Sequence, residues 1–237
     1  MKIGVIAGSV LSFDLEGETP PQTDLGPASS ALFRQEVVGG SIHVIARHGS
    51  PASIPPHMVN HRANVLALAD AGAECIIPIC SSGALKASIP VPSIAVPEDY
   101  IDLWSGSTLF DRGIQHVTPA LDPDLRRAVL SALRGSGADP LDGGVYVQTR
   151  GPRLETVSEI RFLSTLGDYV GMNMGSEVTI ACELGIPVAG ILTVDNPAHG
   201  IGGHRPEFER ILSTARSNWE RLYKALSFIP SFYEGTI

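Results

Sequence analysis

Cysteine is scarce in this chain of 237 residues. Cys75, Cys80 and Cys182 form an odd, widely spaced set with no CxxC pair, which argues against a disulfide framework or a zinc site and fits the reducing cytoplasm. Basic charge is also short. Lys and Arg number 17 against 25 Asp and Glu, a formal net charge of -8, so neither nucleic acid nor an anionic membrane is expected as a partner, although a local cationic pocket can sit on an acidic protein. No segment approaches the roughly 20 apolar residues of a membrane span. The opening MKIGVIAGSVL has one Lys and a short apolar run followed by an acidic, Pro-rich stretch. It reads as a buried first strand rather than a targeting segment. The spaced glycines of a dinucleotide fingerprint are missing as well. What is present, 43% hydrophobic residues, suffices for the core of one compact domain.

Strand-like β-branched content falls at residues 2–7, 41–47, 74–79, 93–96, 144–149, 169–172 and 188–194. Helical spacing falls at 57–71, 122–133, 155–166 and 176–184 and after Pro206, and residues 14–27 read as a surface loop. The alternation favours an α/β fold, a sheet covered by helices on its faces.

Three expected strand ends carry ligand-binding chemistry. Gly8 and Ser9 follow the first strand, where backbone N–H groups and a hydroxyl suit an anion. Arg47 and His48 end the second strong strand, the guanidinium suited to a bidentate phosphate contact and the imidazole to an added donor. Cys80, Ser81, Ser82 and Gly83 read as a turn after the next strand. Farther along, Glu155 in GPRLET and Asn196 in LTVDN offer a carboxylate that accepts from a ring N–H and an amide that meets a ring nitrogen and a carbonyl. Together they complement the edge of a 6-oxopurine. Taken singly, Glu155 also suits a helix cap, Asn196 beside Pro197 suits plain turn chemistry, and Met172 suits packing.

The strings RHG (47–49), VNHRAN (59–64), SSGAL (81–85), GPRLET (151–156) and VGMNMGSEVTIACELGI (170–186) occur in an order that resembles the trimeric purine nucleoside phosphorylase and 5′-methylthioadenosine phosphorylase family. The similarity runs over nearly the whole chain. It implies a nucleoside phosphorylase-like fold, a mixed β-sheet flanked by helices in one domain over residues 1–237, and a homotrimer or a dimer of trimers. It also implies phosphate-dependent cleavage of the N-glycosidic bond of purine nucleosides, with inorganic phosphate as co-substrate and no cofactor or metal.

Carried over residue by residue, the resemblance gives Ser9, Arg47, His48, Cys80, Ser81 and Asn173 to phosphate. Leu154, Glu155, Met172, Asn196, Ser82, Gly83 and His116 go to the base and ribose, and Asn196, Glu155 and His48 are the expected catalytic groups. Glu155 and Asn196 match the purine-reading pair of the 6-oxopurine enzymes, where the methylthioadenosine branch has Ser and Asp. His116 is similar to a histidine that a neighbouring subunit extends toward the 5′ end of the sugar. Cys80 in place of a threonine, Val10 in place of a glycine and Ala52 in place of a histidine depart from the pattern. Inosine, guanosine and 5′-methylthioinosine are the expected substrates. The competing readings are a 5′-methylthioadenosine phosphorylase, a nucleosidase that uses no phosphate, and a purine-binding protein without activity.

Overall fold

A computed structural model describes residues 1–8, 19–104 and 106–233. Ser9 and Val10 lie outside the described residues. The strands are β1 (Lys2–Ala7), β2 (Gln22–Thr23), β3 (Gly26–Pro27), β4 (Leu32–Val37), β5 (Gly40–Ala46), β6 (Cys75–Ala84), β7 (Ser93–Val96), β8 (Asp99–Asp102), β9 (Leu141–Asp142), β10 (Val145–Gln148), β11 (Tyr169–Gly171) and β12 (Ile191–Pro197). The helices are α1 (His61–Asp70), α2 (Pro123–Gly135), α3 (Val157–Leu163), α4 (Met174–Glu183) and α5 (Phe208–Leu226).

Ten strands form one mixed sheet in which β1 runs parallel to both β5 and β6, β12 runs parallel to β6, and β4, β7 and β11 add antiparallel pairs. In β1 every residue after Lys2 is buried. Both faces of that strand are covered, so its sequence is a continuous apolar run without alternation. Ile3, Val5 and Ile77 pack toward α2 and α5, whereas Ile6 and Ile76 pack toward α1 and α4. A third, smaller cluster joins α3 to Leu85, Val147 and Val170.

Local chemistry sets most helix starts. The Asn60 side chain accepts from the Ala63 N–H, so α1 begins later than the periodicity suggests, and a short 3-10 turn at Pro56–Met58 precedes it. Asp122 caps α2, with Pro123 in its first turn. Thr156 and Glu159 form a capping box at α3. The cap that the sequence alone allowed for Glu155 therefore belongs to its neighbour.

The stretch at Cys80–Gly83 is not a turn, because β6 continues to Ala84 along β12, and the polar residues hide inside a ladder that is formed far away in sequence. On the opposite edge of β6, β1 stops at the Ala7 to Ile79 pair and β11 starts only at Gly83. Among the described residues, 80–82 thus have no strand neighbour on that edge. The opening lies at the carboxyl end of β1, where α/β sheets place ligands.

Ile77 is fully buried between β1 and the α2 and α5 layer. Ile77→Ala is expected to cost about 2–5 kcal/mol by lost burial and a residual cavity, measured by urea unfolding.

Candidate active site

The opening is the floor of a cavity of about 590 Å³, lined by Gly8, Arg47, His48 and Ser81 to Gly83 from the sheet and by Val170 to Asn173 at the end of β11. Pro152, Leu154 and Glu155 close one side with Asn196, Ala198 and His199. Residues 52–56 and the α5 side chains Phe208, Ile211, Leu212 and Arg216 supply a largely apolar wall. Its size is that of an ordinary small-molecule site.

Arg47 is fully buried beneath this cavity. Its Nε and Nη2 donate to the two oxygens of Glu177 at 2.5 and 2.7 Å, and Nη2 also reaches the Ile6 carbonyl and the Cys80 sulfur. Nη1 donates to the Ile79 carbonyl at 3.0 Å. A guanidinium has five N–H groups, so among the described residues one Nη1–H is left without a protein partner. It faces Gly8, where an added Cβ would lie 3.0 Å from Nη1. The bidentate contact expected for phosphate is therefore made to Glu177, because a cation buried at this depth needs a fixed counter-charge. One N–H remains for a ligand.

Burial works against the Arg47 charge, yet the Cys80 sulfur and the Glu177 carboxylate raise its pKa above the ordinary value. Burial likewise opposes ionisation of Glu177, and Arg47 followed by His61 overcomes it and lowers its pKa. His61 Nδ1 lies 3.1 Å from Glu177 Oε1. Cys80 is buried behind Arg47, off the cavity surface, and burial pushes its thiol up to about 12. It meets the guanidinium rather than a ligand.

His48 Nδ1 donates to the Ile54 carbonyl at 2.8 Å, since a carbonyl can only accept. Burial, then Arg47, lowers its pKa to about 4. At neutral pH the ring is uncharged, and its Nε2 is an acceptor. The sequence suggested a donor there. Asn173 stands at the start of α4, and its Oδ1, buried and on the cavity wall, has no partner among the described residues. Two acceptors, one guanidinium N–H, the Ser81 hydroxyl and a helix N-terminus thus converge on the floor.

At the other side, Glu155 Oε1 accepts from the Thr149 hydroxyl at 2.6 Å, and His199 Nδ1 approaches the Glu155 carbonyl at 3.1 Å. The Asn196 amide donates to the Pro197 carbonyl at 2.7 Å, which leaves its second N–H and its oxygen free of described partners. Met172 lines the cavity with its sulfur over Gly151, whose φ of +64 and missing Cβ permit the approach. Ser82 lies on the wall with its hydroxyl tied to the Thr193 carbonyl.

Of the expected residues, Arg47, His48, Ser81, Ser82, Gly83, Leu154, Glu155, Met172, Asn173 and Asn196 share the one cavity. Ser9 lies outside the described residues. His116 is exposed, and the chain does not bring it to its own cavity. Sequence reasoning missed Glu177 and His61 beneath Arg47 and the α5 wall. The only signal for that wall was the amphipathic repeat of the final helix, which does not say which cavity it borders.

Residues 2–228 match the family model described as the Phosphorylase superfamily. A protein of Archaeoglobus fulgidus named as a probable 6-oxopurine nucleoside phosphorylase is 41% identical over 222 residues, covering 91% of this chain and 90% of that one. A probable S-methyl-5′-thioinosine phosphorylase of Pseudomonas syringae pv. tomato is 36% identical over 213 residues, covering 84% and 87%. Among solved structures, the methylthioadenosine phosphorylase of Schistosoma mansoni in complex with adenine superposes with a TM-score of 0.84. At 24% identity it covers 97% of this chain and 91% of its own, a likeness of fold.

The lowered pKa of His48 has a stability consequence. Between its ordinary 6.5 and about 4 the unfolded chain binds a proton that the folded chain refuses, so the contribution is complete above 6.5 and is lost as pH falls through that window. Thermal melts from pH 7 to 4 should show a steeper loss of Tm for the wild type than for His48→Gln.

Proposed function

Because the chain belongs to the phosphorylase superfamily, we propose that it cleaves purine nucleosides with inorganic phosphate, releasing the base and a ribose 1-phosphate, and that it favours 6-oxopurines. The observation that carries this reading is the joining of an anion floor, Arg47, His48, Ser81 and Asn173, with Glu155 and Asn196 in one cavity. The names of the Archaeoglobus and Pseudomonas relatives support it.

A hydrogen phosphate dianion carries one P–OH and three unprotonated oxygens. The free Nη1–H of Arg47 donates to one oxygen and the dipole of the α4 N-terminus favours the anion, while His48 Nε2, Asn173 Oδ1 or the Ser81 oxygen accepts the P–OH. A phosphate oxygen attacks C1′ as the C1′–N9 bond breaks, and the bonding pair leaves with the purine. Charge grows positive on the ribose, beside the phosphate, and negative on the base. Asn196 donates more strongly to N7 as that charge develops, which lowers the barrier rather than merely tightening binding. The leaving base then takes a proton from solvent. Inorganic phosphate is the co-substrate, and no step calls for a cofactor.

Glu155, fixed by the Thr149 hydroxyl, accepts from N1–H of a 6-oxopurine. A 6-aminopurine has a lone pair at N1, so the same carboxylate repels it. The apolar wall of Ile54, Pro55, Pro56, Phe208, Ile211 and Leu212 suits a 5′-alkylthio group better than a hydroxyl, and 5′-methylthioinosine fits both ends.

We infer further that the enzyme is a cytoplasmic homotrimer. The described cysteines are unpaired, and no described helix is long and apolar enough to cross a membrane. Exposed Ile114 and Val117 flank His116 in sequence, and Leu103 and Trp104 are exposed earlier in the same connection. That apolar segment suits a contact through which His116 reaches a neighbouring sugar site.

A panel of nucleosides, assayed by base release with and without phosphate, tests the reading. Inosine-type substrates should be cleaved on the order of 100-fold faster than adenosine-type ones, only with phosphate, and 5′-methylthioinosine should have a lower KM than inosine. Equal rates for 6-oxo and 6-amino bases would remove Glu155 from base recognition, and turnover without phosphate would make the protein a nucleosidase. Separately, Gly8→Ala puts a methyl group over the one open N–H of Arg47. It should raise KM for phosphate about tenfold while leaving KM for the nucleoside nearly unchanged.

A further inference from the structure

The reaction just described leaves one buried carboxylate unused. Asp195 lies on β12 at a break in register: Val194 pairs with Ser82 and Asn196 with Gly83, so Asp195 is an extra residue in the ladder. Bulges of this kind re-aim side chains next to active sites. Asp195 is 3% exposed. Its Oδ1 accepts from Asn218 Nδ2 at 3.1 Å, and its Oδ2 accepts from the Thr193 hydroxyl at 2.8 Å. The Ser81 hydroxyl of β6 also favours the ionised carboxylate.

These partners belong to two walls of the cavity. Ser81 sits on the open edge of β6, on the anion floor. Asn218, itself buried, sits on α5, the helix that presents Phe208, Ile211, Leu212 and Arg216 to the same cavity. Asn196, the residue after Asp195, lies between them. A buried acceptor that satisfies donors from two elements fixes their relative position, because releasing either donor leaves an unpaired polar group.

We propose that Asp195 is a positioning residue for phosphorolysis, holding Ser81 on the phosphate side and α5 on the nucleoside side in register with Asn196. The proposal rests on the function proposed above. Burial raises the Asp195 carboxyl to about 6 against the bonds from Ser81, Thr193 and Asn218. Below that pH the carboxyl carries its own proton and one donor must give way. The other groups around it are Thr193 and Asn196 on β12, Ser81 on β6 and Asn218 and Arg210 on α5. Glu207 before that helix and His204 join Arg210 on the small adjoining cavity that Asp195 also lines.

The test compares the wild type, Asp195→Asn and Asn218→Ala as full-length proteins, with KM for inosine and for inorganic phosphate measured between pH 5 and 8. At pH 7.5 Asp195→Asn should raise both KM values about tenfold. Asn218→Ala should raise KM for inosine several-fold and leave KM for phosphate within about twofold. As pH falls to 5, the wild type should converge on Asp195→Asn, a comparison in which the titration of phosphate itself cancels. A folded Asp195→Asn protein with a lowered Tm but both KM values unchanged would reduce Asp195 to a structural residue and overturn the proposal. If that variant does not fold, an unchanged KM for inosine in Asn218→Ala overturns it. If the wild type shows no phosphate-dependent cleavage, the function above fails by itself. The rise in Tm caused by inorganic phosphate then decides on Asp195: a smaller rise in Asp195→Asn supports the clamp, and an equal one refutes it.

Discussion

The ion pair between Arg47 and Glu177 joins the end of β5 to α4, and Arg47 also bonds the carbonyls of Ile6 on β1 and Ile79 on β6. A buried pair of this kind adds little net stability, since desolvation consumes much of the Coulomb gain, but its geometry is fixed because breaking it strands a charge. The cavity floor inherits that fixity. With four of five donors committed among the described residues, the guanidinium keeps one Nη1–H, and Nη1 lies beside Gly8, which has no side chain to cover it. His48 is held uncharged by burial and by the same guanidinium, so the most deeply placed cation in the site also decides that its neighbour accepts rather than donates.

The rest of the site is arranged around an interruption in the sheet. β1 ends where β11 has not yet begun, and the edge of β6 between them carries Cys80, Ser81 and Ser82. Cys80 turns inward onto Arg47, while Ser81 and Ser82 remain on the wall. A threonine hydroxyl at position 80 would meet the same guanidinium. The departure at Cys80 thus changes what supports Arg47 and not the cavity surface. At the opposite wall, Glu155 and Asn196 are braced by Thr149 and by the Pro197 carbonyl. Each of the two is therefore oriented by backbone or by a short side chain.

The sequence carried the elements whose determinants are local. The apolar runs of β1 and β5 and the strings around Glu155 and Asn196 each need only a few neighbouring residues to be read, whereas the caps at Asn60 and Thr156 moved the starts of α1 and α3 from where periodicity put them. Where the reading went astray, the cause was distant. Ser81, Ser82 and Gly83 look like a turn because their composition is that of turns, and only β12, more than a hundred residues later, makes them a strand. His61 and Glu177 carried no assigned role because their partner is remote.

By itself the sequence determined the alternating α/β order, the acidic character of the chain and which side chains were available for an anion and a purine edge. Tertiary structure decided how those side chains are used. It gave the bidentate grip of Arg47 to Glu177, 130 residues away, placed α5 on the cavity wall, and left His116 on the surface. The physical reason is that donor and acceptor counts close only in three dimensions: whether an N–H is spent on a carbonyl or left for a ligand depends on which strands and helices pack beside it.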